Sequence, residues 1–186
     1  MTPSMWREEN RRPMSRNLKT VLILAAAVVA LGAMQAFAQA PEATLQSTEG
    51  KTMSLSELKG KVVVLSFGGS WVPLASKELP ALQKLADRFV SRDVQIYWVS
   101  INSAKPGART YATDADLKAF AAKNGFTLPV MRDPEQKLYK ELALDAVPTI
   151  VLLDKQGKVV RKHVGFGTEA GEAYGEIIRD IEQLLK

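Results

Sequence analysis

The sequence predicts an α/β fold in which a central mixed β-sheet carries helices on both faces and is extended by an N-terminal β-hairpin. Two runs of mainly β-branched and apolar residues, Lys61–Phe67 and Val94–Ile101, are typical of strands buried on both faces. The segment between them repeats leucines at helical spacing, which indicates a parallel strand–helix–strand unit. Two later strand-like runs joined by the short turn Lys155–Gly157 add antiparallel strands.

The residues before the first buried strand form the extension. Thr44–Gln46 and Met53 lie on either side of a Glu-Gly-Lys turn, as in a small hairpin. Ser54 and Glu57 have the spacing of a capping box and predict a short helix that ends at Gly60.

The other elements follow in an alternating order that suits a mixed sheet between two helical layers. Pro73 fits the first turn of the first helix, where its missing N–H costs nothing. The predicted elements are a helix over Pro73–Ser91, a helix capped by Thr113–Asp116 that ends near Asn124, a short helix over Pro134–Leu142, strands over Thr149–Asp154 and Lys158–Val164, and a closing helix over Thr168–Leu185.

The composition excludes several kinds of chemistry. The 186 residues, 24% charged and 46% hydrophobic, are typical of a globular protein and include no cysteine. Disulfide bonds, thiolate catalysis, Fe–S clusters and cysteine-ligated zinc are therefore excluded for this chain. A single histidine, His163, also excludes a metal site with two imidazoles, and we expect no metal and no cofactor.

The first 38 residues have the pattern of a secretory signal peptide. Val21–Met34 is a run of fourteen residues without charge, preceded by basic residues and followed by Ala36–Ala38, which fits a signal-peptidase site. We therefore predict a signal peptide over residues 1–38 and one domain over residues 39–186, in an exported, periplasmic protein. Translation could start at Met1, Met5 or Met14.

An uncleaved membrane anchor is the alternative for the same segment. A spanning helix needs about 20 apolar residues, and Gln35 interrupts this run after fourteen. In that case the protein would contact the membrane through its N-terminal segment only.

The charge balance gives no reason to expect a nucleic-acid partner. The net charge is +5, but the first 38 residues hold five Lys/Arg and only two Asp/Glu. The remaining residues have 20 basic and 18 acidic side chains, a net charge of +2. Such a domain lacks the strongly basic surface that nucleic-acid binding requires.

The motif with most chemical content is SFGGSWVPLASKELP, at Ser66–Pro80. It resembles the signature of thioredoxin-like proteins of the TlpA/ResA type, exported thiol:disulfide oxidoreductases related to the AhpC/TSA proteins, which reads roughly F-W-A-T-W-C-P-P-C-x-x-E-x-P. Ala146–Thr149 resembles the cis-proline strand of that family, and Met53–Lys61 resembles its L-x-x-L-K-G-K lead-in. The resemblance spans nearly all of residues 39–186 and implies a thioredoxin-like fold.

The two cysteines of the family signature are replaced. Val72 and Ala75 stand at their positions. Thiol–disulfide exchange requires a thiolate that attacks sulfur through a mixed disulfide, and neither side chain can do this. We therefore predict no catalytic residue, although the family consists of enzymes and non-cysteine chemistry stays open.

The resemblance also implies a binding surface. In the family the residue before the cis-proline pairs its backbone with an extended substrate segment, and the tryptophan before the first cysteine packs beside the bound partner. The corresponding residues here predict a site for protein or extended peptide clients at Trp71, Val72, Val147 and Pro148. The hypothesis is a redox-inactive client-binding protein in envelope thiol homeostasis or cytochrome c assembly. The alternative is an oxidoreductase by lineage that acts through a partner or by non-cysteine chemistry.

Two further features concern residues around this site. Glu78 corresponds to a glutamate that assists proton transfer to the thiols in the family; without thiols, we expect a helix-surface charge or a partner for Lys77 or Lys84. Gly68-Gly69 replaces a bulky Trp-Ala pair. The glycines would either widen the groove beside Trp71 or reflect a constraint that was relaxed when the thiols were lost.

Overall fold

The computed structural model describes residues 41–165 and 172–186. The predicted signal peptide and the predicted start of the last helix at Thr168 lie outside the described residues. Seven strands form one sheet in the order β2-β1-β5-β4-β3-β6-β7. The strands are β1 Thr44–Ser47, β2 Thr52–Ser54, β3 Val62–Gly68, β4 Val94–Ser100, β5 Val130–Arg132, β6 Thr149–Leu153 and β7 Val159–Val164.

The helices begin and end close to the predicted positions. Both predicted caps are present as capping boxes: the carboxylate of Glu57 accepts a hydrogen bond from the backbone N–H of Ser54, and that of Asp116 accepts one from the N–H of Thr113. The first long helix begins two residues later than predicted, so Pro73 precedes it. The helices are a 3₁₀ helix over Leu55–Leu58, α1 Ala75–Phe89, α2 Asp114–Lys123, α3 Lys137–Glu141 and α4 Glu172–Leu184.

Strand β3 lies in the interior of the sheet, between β4 and β6. All seven of its residues are buried, as its nearly continuous run of apolar side chains predicts. It pairs in parallel with β4, from Val62 opposite Val94 to Gly68 opposite Ser100. On its other side it pairs antiparallel with β6. The predicted mixed sheet is confirmed.

The core consists of two layers, one on each face of the sheet. Helices α1, α2 and α4 pack on one face, whereas α3 and the 3₁₀ helix pack on the other. Alternate β3 residues face the two layers because successive strand side chains point in opposite directions. Val62 and Val64 belong to the first layer, and Val63, Leu65 and Phe67 belong to the second. Helices on both faces are therefore confirmed.

Strand β5 is present in the structure, but the sequence pattern does not predict it. Val130–Arg132 has only three residues, which is too short for a periodic pattern, and Pro129 precedes it. Its conformation depends on its two neighbours: Val130 pairs in parallel with Trp98 of β4, and Arg132 pairs antiparallel with Gln46 of β1. The N-terminal hairpin thus joins the main sheet through β5.

The strand directions bring three chain segments to one edge of the sheet. The parallel strands β3 and β4 end there, and the antiparallel strand β6 begins there, with Thr149 opposite Phe67. The residues after β3, after β4 and before β6 are therefore neighbours.

Among the helices in the described ranges, none has the length and apolar character that crossing a bilayer requires.

Candidate functional site

The positions that match the lost cysteines lie at the start of α1. Val72 is partly exposed, and its carbonyl accepts a hydrogen bond from the N–H of Ala75 at 3.0 Å, which closes a turn ahead of the helix. Ala75 is the first residue of α1 and is fully buried. An isopropyl and a methyl group therefore occupy the two positions, and no sulfur is present.

The indole ring of Trp71 lies across the backbone of Gly69. A Cβ atom placed on Gly69 would lie 2.2 Å from the nearest ring carbon, far inside contact distance. Glycine is thus the residue that lets this indole pack against the main chain. The other parts of the ring stay in solvent, since Trp71 is 41% exposed.

A buried amide, that of Asn102, holds the segment that carries Trp71. The backbone N–H of Ser70 donates to Asn102 Oδ1 at 3.0 Å, and Asn102 Nδ2 donates to Ser70 Oγ at 3.0 Å. The same Nδ2 donates to the carbonyl of Thr110 at 3.0 Å. Asn102 is 1% exposed, so its amide is shielded from solvent, and its bonds to the partly exposed Ser70 and Thr110 keep the Ser70–Trp71 backbone in place.

The loop before β6 lies beside this segment. The Val147–Pro148 peptide bond is cis. The hydroxyl of Thr149 donates to the carbonyl of Ala146 at 2.8 Å, and the N–H of Gly165 donates to the carbonyl of Pro148 at 2.8 Å. Among the described residues, none forms a hydrogen bond with the backbone N–H or carbonyl of Val147.

The four residues predicted to bind clients therefore lie at one edge of the sheet. Trp71 and Val72 follow β3, and Val147 and Pro148 precede β6, its antiparallel neighbour. We call this region the client surface. It is defined by Trp71, Val72, Val147 and Pro148, of which Pro148 is buried and Val147 is partly exposed.

Glu78 is buried, so the expectation of a surface charge or a lysine partner is wrong. It lies one turn after Ala75 on the side of α1 that faces the sheet, and it is 1% exposed. The hydroxyl of Ser66 on β3 donates a hydrogen bond to Glu78 Oε1. Burial raises the pKa of Glu78 to about 7, and the hydrogen bond from Ser66 offsets part of this increase.

Gly68 makes room for a second indole ring. A Cβ atom placed on Gly68 would lie 2.7 Å from Trp98 Nε1 and 3.6 Å from Glu78 Oε2. Within the described part of the chain, neither of these two polar atoms has a hydrogen-bond partner. The glycine pair is therefore explained by the two indole rings that pack against it, an explanation that the sequence alone does not reveal.

Two further polar side chains, those of Ser76 and His163, make contacts of their own. Ser76 Oγ donates to the carbonyl of Pro73 at 3.1 Å, and His163 Nε2 lies 3.0 Å from Asp180 Oδ2 on α4. The structure therefore does not bring His163 together with a serine at the client surface. In the described ranges, no group of three or more acidic or histidine side chains is arranged to hold a metal ion.

The structure adds Ser66, Trp98 and Asn102 to the site. Asn102 had a recognisable signal, because a polar side chain just after a buried strand lies at the edge where sites form in α/β sheets. The contacts of Ser66 and Trp98 have no such signal, since both residues lie within strands and their partners come from other elements.

This arrangement defines a class of protein. A buried strand leads through a tryptophan-containing turn into a helix, a cis-proline loop lies beside the turn, and a buried glutamate lies beneath it. These features are those of a thioredoxin-like protein of the thiol:disulfide oxidoreductase type, with both thiol positions replaced.

Residues 37–162 match the AhpC/TSA family, and the chain belongs to this family. It is 32% identical over 136 residues to the thiol-disulfide oxidoreductase ResA of Bacillus thuringiensis (strain Al Hakam), covering 73% of each chain. Identity to ResA of Bacillus subtilis (strain 168) is 31% over 147 residues, covering 79% of this chain and 74% of that protein. The exposed lipoprotein thioredoxin of Streptococcus pneumoniae superimposes with a TM-score of 0.61 at 30% identity, covering 77% of this chain and 99% of that one. The predicted family and fold are confirmed.

The close approach of Trp98 predicts that Gly68→Ala destabilises the fold. The added methyl group would force the indole to move, and overpacking of this kind typically costs about 1–3 kcal/mol of unfolding free energy. Urea denaturation measures the loss. In a Trp98→Phe background, which lacks Nε1, we expect the same substitution to cost clearly less.

Gly175→Ala is the matched control, because a Cβ on that helical glycine would meet only Arg179 Nη1, at 3.7 Å. Equal stability of the Gly68→Ala and Gly175→Ala proteins would contradict the packing explanation.

The raised pKa of Glu78 predicts a characteristic dependence of stability on pH. Its pKa is about 7 in the folded state against an ordinary value of 4.5, so between these values the folded state holds a proton that the unfolded state has released. The protonated Glu78 therefore contributes its full stabilisation of the folded state below pH 4.5, and this stabilisation is lost as the pH rises through about 7. A pKa difference of this size corresponds to about 3 kcal/mol of unfolding free energy.

Glu78→Gln removes the titration, so its unfolding free energy should not show this decline and should exceed that of the wild type at pH 8. Urea denaturation between pH 4 and pH 8 measures both curves, with Glu141→Gln, an exposed residue at the end of α3, as the control. Parallel curves for wild type and Glu78→Gln would show that Glu78 is not protonated in the folded protein near pH 6.

Proposed function

We propose that this protein is an exported, thioredoxin-like client-binding protein that holds extended peptide segments at its client surface and carries out no thiol–disulfide exchange itself. The observation that carries this proposal is the combination of Val72 and Ala75 at the thiol positions with an otherwise ordered site around them. Binding needs shape and hydrogen bonds, whereas exchange needs sulfur.

The backbone of Val147 supports binding by strand addition. Its N–H and carbonyl make no hydrogen bond within the described part of the chain, although they lie beside an ordered loop. An extended peptide could use both groups, as in other complexes where a segment pairs with free backbone at the end of a sheet. The backbone would provide affinity with little dependence on the client's sequence.

Trp71 supports binding through side-chain contact. A tryptophan whose ring rests on glycine backbone and is 41% exposed offers a large, rigid apolar face at little entropic cost. Val72 lies next to it and is partly exposed. The former reactive position thus presents an apolar contact to a client.

The relatives and the N-terminal pattern support an exported setting. One solved relative is described as an exposed lipoprotein thioredoxin. The signal-peptide pattern of residues 1–38 agrees with export of this chain. In this proposal its clients belong to envelope thiol homeostasis or cytochrome c assembly.

We predict that Trp71→Ala and Val147→Asp each weaken peptide binding by about tenfold or more, because one removes the apolar anchor and the other puts a charge on the segment proposed to pair with the client. Fluorescence anisotropy of labelled, unstructured ten-residue peptides with apolar centres measures the dissociation constants for the full chain. Val90→Asp is the matched control, since Val90 is 82% exposed and follows the far end of α1. Unchanged affinity in both surface variants would contradict the proposal.

Restoring the thiols tests whether the site keeps the geometry of its family. In a Val72→Cys/Ala75→Cys variant, the partly exposed residue 72 would provide the attacking thiol and the buried residue 75 the resolving thiol. We expect this variant to accelerate the reduction of insulin by dithiothreitol, whereas each single cysteine variant should not. If the double variant were no faster than the single variants, the surface would not be an intact thioredoxin site.

A further inference from the structure

The loop after β4, residues 103–112, folds back on itself next to the client surface. The N–H of Ser103 donates to the carbonyl of Thr110 at 3.1 Å, and the N–H of Ala112 donates to the carbonyl of Ser103 at 3.1 Å. At the tip the chain turns at Gly107, which has a φ of +83°, and the N–H of Ala108 donates to the carbonyl of Lys105 at 3.1 Å. The loop is therefore a compact projection with a closed base.

The base of this loop is tied to the segment that carries Trp71. Asn102 Nδ2 lies 3.0 Å from both Ser70 Oγ and the carbonyl oxygen of Thr110, so those two oxygens are at most about 6 Å apart. The residues that follow them, Trp71 and Tyr111, are 41% and 40% exposed. One buried amide thus fixes the backbone next to two exposed aromatic side chains.

The loop adds positive charge to this end of the site. Lys105 and Arg109 are its charged residues, both are exposed, and no ion pair among the described residues uses either of them. The exposed acid Asp145 lies just before Val147, next to β6. Because β3 lies between β4 and β6, the basic loop and the acid are on opposite sides of Trp71 and Val72.

We propose that loop 103–112 is a second wall of the client surface and that it selects extended segments with acidic residues next to an apolar residue. The apolar residue would contact Trp71 and Tyr111, and the acidic residues would lie near Lys105 and Arg109. This inference rests on the proposed function and adds the chemistry of the client to it. Unpaired basic side chains favour acidic partners by complementary charge and disfavour basic ones.

The probes are labelled ten-residue peptides with one common apolar centre and a flank of three glutamates, three serines or three lysines. The flank precedes the centre in one set and follows it in the other, so that either chain direction is covered. At low salt, we expect the acidic peptide of one set to bind about fivefold more tightly than its serine counterpart and the lysine peptide to bind most weakly. At 0.5 M NaCl the differences should shrink, because surface charges are screened.

A charge reversal identifies the loop as the source. Lys105→Glu/Arg109→Glu should invert the order of the three peptides. The control Lys59→Glu/Lys61→Glu changes the net charge by the same amount at exposed residues just before β3, at the opposite edge of the sheet, and should leave the order unchanged.

The outcomes separate this inference from the proposed function. Equal affinity for all three flanks, or the same change of order in both double variants, would overturn the role of the loop while client binding itself stood. Failure of every peptide to bind the wild-type chain would overturn both. An inverted order in the loop variant alone would support the selection of acidic clients.

Discussion

The side-chain amide of Asn102 is the interaction on which the client surface depends. Its oxygen and nitrogen together bond Ser70 twice and Thr110 once, at a position that is almost completely buried. A buried amide that lost these partners would leave polar atoms unpaired, which costs more than the bonds themselves contribute. The backbones on both sides are therefore held in one arrangement, and the exposed rings of Trp71 and Tyr111 start from fixed positions. A surface fixed in advance loses less entropy when it binds.

Beneath this surface lies a polar group that the family's chemistry would use and this chain cannot. Glu78 is buried between α1 and the sheet, with Ser66 bonded to one of its oxygens. A carboxyl group in such a place favours its neutral form, because burial penalises the charge more than one hydrogen bond offsets it. Below about pH 7 the neutral form predominates and acts as a polar core group, so under these conditions the absence of thiols leaves little buried charge under the surface. The site can thus stay ordered without its original chemistry.

The sequence predicts the parts of the fold that depend on local pattern. The apolar run of β3 and the capping box at Thr113 are read directly from neighbouring residues, and both are present. Strand β5 has three residues and exists because of its two partners, so no local pattern reveals it. The prediction for Glu78 is wrong for the same reason. A glutamate is expected at the surface from its residue type, but this one lies one turn after Ala75, where it faces Ser66 across the helix–sheet interface. The glycine pair likewise depends on two indole rings, one of which comes from another strand.

The loss of both cysteines separates two steps that this fold normally combines. In an oxidoreductase, the client is first held by backbone pairing and apolar contact, and the thiolate then attacks. The first step uses groups that this chain retains, namely the free backbone of Val147 and the exposed ring of Trp71. The second step uses sulfur, which it lacks. Without a covalent intermediate, the lifetime of a complex depends on non-covalent contacts alone, and their arrangement around the site determines which clients stay bound. The proposed selection by charge at Lys105 and Arg109 would then have a larger share in specificity than it has in an enzyme that captures its client as a mixed disulfide.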